Sequence, residues 1–173
     1  MKLLGAIVAD IFLLVIAVVA TGSCMMKENT IQRDTGSWLD RAQVAANATE
    51  MHDYLQNARE GMEKYGMTQG NAALIFKRPD NDMALIYDAV KQLEDRAGKQ
   101  ADLLRADPQY VNTTTYQVAL DDMRGTAREL ELQNLSYYWR HDGFLQMFLT
   151  VVMWPLLIIV GLVATLLGWP SDY

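Results

Sequence analysis

Cysteine is almost absent. Cys24 is the only one among 173 residues, so no internal disulfide can brace the fold. Histidine is nearly as scarce: His52 and His141 lie far apart, and no Cys or His pair has metal-ligand spacing. There is no Gly-rich phosphate loop and no nucleophile beside a recognisable base. An excess of positive charge is also missing. A formal net charge of −6 leaves no basic face to neutralise phosphates, which argues against nucleic acid as a partner. Period-two alternation is lacking too, so an all-α chain is expected. Together these absences predict a protein that is not an enzyme and needs no cofactor and no metal.

What is present is apolar length at both ends. Residues 143–168 run without one charged side chain, and roughly 20 apolar residues are enough to cross a bilayer as a helix. Tyr137, Tyr138, Trp139 and Arg140 crowd the entry to this run and Trp169 marks its exit, as side chains that settle among headgroups do. A second run, Leu3 to Ala20, is interrupted only by Asp10. It is longer than the apolar core of a signal peptide, which favours an uncleaved signal anchor. The bilayer is therefore one expected partner.

Asp10 is costly inside a span and is expected to face a partner, a cavity or a proton path, or else to sit shallow enough to snorkel or be neutral and hydrogen-bonded to a neighbouring helix. A relay needs a second titratable group, and the second run supplies none. Small residues four apart, Gly5 with Ala9 and Gly161 with Thr165, predict close approach of the two spans, with Asp10 near Thr165. The Thr21-Gly22-Ser23-Cys24 box makes Cys24 a candidate for lipidation, although Thr21 and Gly22 depart from the usual pattern. Cys24 with Met25 and Met26 offers soft ligands to Cu(I), but three adjacent residues make a poor site.

Three stretches of the polar middle repeat apolar residues at alternating steps of four and three. They are Val44, Ala48, Met51, Leu55, Ala58, Met62, Tyr65; then Met83, Ile86, Val90, Leu93, Ala97, Gln100, Leu104; then Tyr116, Leu120, Met123, Ala127, Leu130, Asn134, Tyr137. Each set lies on one seam of a helix, the coiled-coil pattern. Ser37 offers a start to the first helix and Gly66 an end. Pro79, Asp80 and Asp82 open the second, which Asp107-Pro108 stops; Thr113 to Thr115 cap the third. No breaker other than Gly125 follows, so the third helix is expected to continue through 137–140 into the span. Asp80-Asn81-Asp82 lacks the glycine and distal glutamate of a calcium loop and reads as a helix start.

The expected architecture is two transmembrane helices flanking an antiparallel three-helix, coiled-coil-like bundle. Its parts are a 1–23 anchor, a 24–142 bundle, a 143–168 span and a 169–173 tail. Many seam positions are Ala, Met or Gln, which bury little, so a partner or self-association is expected to stabilise the bundle. In the connection between the first two bundle helices, Leu74, Ile75 and Phe76 are expected to dip into the membrane interface while Lys77 and Arg78 meet phosphates. The alternative is a short helix over 67–77 that buries them in the bundle.

A bundle between two spans resembles the layout of chemoreceptor sensing domains, which implies a sensory or ligand-binding module. The chain departs from that layout in having only a short tail after the second span. A lipidated Cys24 with a C-terminal span resembles the layout of single-chain phage spanins, which implies an envelope-bridging lipoprotein. The reading that asks least of the missing chemistry is a non-catalytic accessory or scaffold subunit working through helix contacts with other membrane subunits. The export-like first run puts both termini in the cytoplasm and the bundle outside.

Overall fold

The computed structural model describes residues 2–73, 77–130, 132, 137–138, 141 and 143–168, with side chains left out at 2–7, 9–10 and 164–168. The protein is helical throughout, with no strand among the described residues and one isolated bridge between Asn71 and Asp82. Two helices are long and apolar enough to cross a membrane. The chain divides into two compact units, one of residues 1–27 with 141–173 and one of residues 28–140.

Helix α1 covers Lys2–Asp34 without a break. The Thr-Gly-Ser-Cys box therefore lies inside a helix, well short of its end. Its two hydroxyls are accommodated within the helix: Thr21 Oγ1 donates to the Ala17 carbonyl at 2.8 Å and Ser23 Oγ to that of Ala20 at 2.9 Å. Both polar groups are thus satisfied by the helix that carries them, the usual behaviour of Ser and Thr in apolar helices. Helix α6, Phe144–Gly168, holds Pro155 in its interior, and at 1.5 Å per residue its length is about 38 Å.

In the second unit the start and stop signals act as their chemistry dictates. Helix α3, Ala48–Lys64, is capped by Asn47, whose side chain accepts from the Glu50 N–H at 2.9 Å. It ends at Gly66, which takes the left-handed conformation at φ 69° while the Met67 N–H reaches back to the Met62 carbonyl. A short 3₁₀ turn at Pro79–Asn81 leads into helix α4, Met83–Ala106, with Asp82 accepting from the Ala84 N–H. Asp107 and Pro108 stop α4, and Thr113 caps helix α5, Thr114–Glu129.

The seams are the core of this unit. Ala48, Met51, Leu55, Ala58 and Met62 of α3 are fully buried, as are Met83, Val90 and Ala97 of α4 and Ala127 of α5. Leu93, Tyr116, Leu120 and Met123 are 1% exposed. Burial at successive steps of four and three is what packs each helix against its neighbours.

Two expectations fail at helix ends. The stretch from Ser37 to Gly66 is not one helix: Gly36–Ala42 forms a separate helix α2, and the break before the Asn47 cap leaves Val44 75% exposed. The third helix does not continue toward the span either. At Leu130 the backbone turns extended (φ −84°, ψ 105°), although no Pro or Gly follows Arg128 closely. Further on, the Tyr137 hydroxyl donates to the Gly66 carbonyl and Tyr137 itself is buried, so the chain after α5 is held by a contact distant in sequence.

Candidate functional site

In the first unit, α1 and α6 are joined by side chains. The Gln146 carboxamide donates to Ser23 Oγ at 2.7 Å, and the Trp154 indole N–H to Thr21 Oγ1 at 3.3 Å. Each hydroxyl accepts from α6 and donates to its own helix, forming a short relay. Ala17, Ala20 and Cys24 are buried on the same face of α1, and Met153 is buried on the face of α6 that holds Gln146 and Thr150. Interhelical bonds of this kind in hydrocarbon are worth about 0.6–1.7 kcal/mol each. They set register more than they add strength.

Outside that face the two helices are bare. Ile11, Phe12, Val15, Val18 and Val19 of α1 are more than half exposed, and so are Phe148, Val151, Ile158 and Ile159 of α6. Apolar surface this extensive is not left to water.

The clasp residues were not singled out by sequence. The signal was there: Gln146 is a lone carboxamide in a charge-free run, and Thr21 and Ser23 follow directly on the first long run. Cys24, the candidate for lipidation, is 6% exposed and sits mid-helix. The side chains of Gly5, Ala9, Asp10 and Thr165 lie outside the described residues, as do Leu74, Ile75, Phe76, Trp139, Arg140 and Trp169 entirely. Gly161 is half-covered, and a methyl there would meet no heavy atom within 4 Å. Lys77 and Arg78 are exposed, while Tyr137 and Tyr138 are buried. Near the 74–76 stretch, Met67 and Ala72 are fully buried and the Ala72 N–H bonds to the Asn81 carbonyl.

In the second unit, charge is used at helix crossings. Arg59 of α3 donates to Glu94 of α4 and Glu63 of its own helix, both at 2.6 Å, and Tyr87 donates to Glu63 at 2.7 Å. The Tyr87 and Arg59 hydrogen bonds hold the Glu63 carboxyl below the usual carboxylate range. Asp34, the last residue of α1, receives Lys64 at 2.6 Å and the Tyr65 hydroxyl at 2.8 Å. Helix α5 reaches back to the start of α3: Tyr116 Oη accepts from the buried Ala48 N–H at 2.9 Å, and Arg124 donates to the Ala45 carbonyl at 3.0 Å.

These groups tie elements together; they do not converge on a reacting atom. Among the described residues no three His, Cys, Asp or Glu gather to hold a metal ion. Compared with known proteins, the chain matches no family model, no curated protein and no solved structure. Its chemistry must therefore be argued from its own side chains.

Proposed function

We propose that the chain is a non-catalytic accessory or scaffold subunit of a membrane complex. The observation that carries this reading is the α1–α6 clasp, whose polar groups are consumed within the pair while the remaining faces stay apolar and exposed. Such a pair is complete in register but not in packing, and the bilayer and neighbouring helices supply the rest. The open side at Gly161 favours a neighbouring helix there, because a helix backbone approaches closely only where no Cβ intervenes. In the same reading α3, α4 and α5 form the antiparallel bundle on the extracytoplasmic side, and both termini are cytoplasmic. The ion pairs between α3 and α4 and the bonds from α5 to the start of α3 support that packing.

Purification from native membrane in mild detergent tests the reading. A stoichiometric larger assembly, or a defined self-assembly, is expected; a chain that elutes alone at monomer mass refutes it. The clasp is tested separately with Ser23→Cys and Gln146→Cys in a Cys24→Ser background. Those two positions should crosslink under mild oxidation, and absence of the crosslink would remove the basis for pairing the spans. Protease added to right-side-out vesicles should remove the bundle, and full protection would reverse the orientation.

A further inference from the structure

One concave site in the second unit is not explained by packing. Gln32 from the last turn of α1, Gly36, Leu39 and Asp40 of α2, Gln43 just beyond it, and Arg128, Leu130 and Leu132 line one cleft of about 320 Å³. The floor is shaped by Gly36: a Cβ there would collide with the Gln32 side chain, so the missing methyl lets that carboxamide lie along the helix. Leu39 is buried beneath it.

The two ionised walls are the informative feature. Asp40 and Arg128 form no ion pair with each other, and neither has another ion-pair or hydrogen-bond partner among the described residues. Elsewhere in this unit the arginines are largely engaged: Arg33, Arg59, Arg96, Arg105 and Arg124 all pair with carboxylates. One cation and one anion lining the same small cleft, with carboxamides in the same lining, match a ligand carrying both charges.

We propose that this cleft binds a small zwitterion of the α-amino-acid class. The Arg128 guanidinium would take the ligand carboxylate through its planar fork, and Asp40 would take the ammonium. Gln43 would satisfy a remaining polar atom, while Leu39 and Leu130 face a short side chain. The volume is at the lower end for small-molecule sites, which suits a ligand of amino-acid size. This proposal stands apart from the accessory-subunit reading and survives or fails without it.

Calorimetric titration of the full chain in detergent tests it. The probes are L-alanine and L-serine as zwitterions, with propionate and isopropylamine as single-charge controls. Measurable heats of binding are expected for at least one zwitterion, with each control at least about tenfold weaker, since each lacks one of the two charge contacts. Arg128→Gln and Asp40→Asn should each weaken the zwitterion at least about tenfold. Both residues are exposed and have no partner among the described residues, so the variants should melt with the parent, and circular dichroism checks this. Zwitterions that bind no better than the single-charge controls would overturn the assignment. So would undiminished binding to folded Arg128→Gln.

Discussion

Helix α1 ends against α3 at a point with no room for a side chain. A Cβ on Gly61 would overlap the Asp34 carbonyl oxygen and lie 2.8 Å from both the Asp34 carbonyl carbon and Thr35 Cγ2. Two of these three are backbone atoms, and Thr35 is fully buried with its hydroxyl bonded to the Ile31 carbonyl at 2.6 Å. None can swing aside as the end of a flexible side chain would. Gly61→Ala must therefore separate the helices, pulling Asp34 away from Lys64 and Tyr65. Overpacking of a tight site costs about 1–3 kcal/mol, and a backbone obstacle places this case at the upper end. Alanine's helix propensity returns about 1 kcal/mol. The net expectation is a loss of about 2 kcal/mol, or roughly 8–16 °C in Tm for a domain near 100 residues. Gly125→Ala is the control, because α5 is open there and a Cβ meets nothing within 4 Å. That variant should gain about 0.5–1 kcal/mol. Thermal melts of both in detergent, followed at 222 nm, should move in opposite directions. A Gly61→Ala protein that melts with or above the parent would refute the close crossing.

Tyr116→Phe removes the acceptor of a buried N–H and leaves Ala48 unpaired, so it should cost about 1–3 kcal/mol by thermal melt despite keeping the ring. Glu94→Gln weakens the largely buried Arg59 contact between α3 and α4 and should cost about 1.5–3 kcal/mol by urea titration. Glu63 has a carboxyl held below its ordinary value of 4.5, so its contribution is fully present above that pH. It is lost as pH falls through the lower folded value, and the Tm difference between the parent and Glu63→Gln should shrink as the pH is taken progressively below 4.5.

The parts of the fold legible in the sequence are those settled by local chemistry. Asn, Asp and Thr caps, the left-handed glycine at Gly66 and the apolar steps of four and three each act within a few residues. The break at Ala42–Asn47 and the exit at Leu130 are not of that kind. The Asn47 carboxamide, not Ser37, starts α3, and this leaves Val44 outside the seam. Leu130 leaves its helix in a stretch with no local breaker, where Tyr137 is bonded to the distant Gly66 carbonyl. Distance along the chain is what hid it.

The same distinction applies to the candidate sites. An Asp in an apolar run draws the eye because charge in hydrocarbon is costly, whereas Ser, Thr and Gln cost little when a carbonyl or hydroxyl stands one turn away. Thr21 and Ser23 are satisfied by Ala17 and Ala20 even before α6 arrives, so nothing in their own segment demands a second helix. Their remaining acceptor capacity becomes visible only once Gln146 and Trp154 are opposite. Asp40 and Arg128 pose the same problem at longer range, because each reads as an ordinary surface charge on its own helix. Only the fold puts them in the lining of one cleft. A sequence advertises the polar group that is expensive alone, and it conceals the pair that becomes useful together.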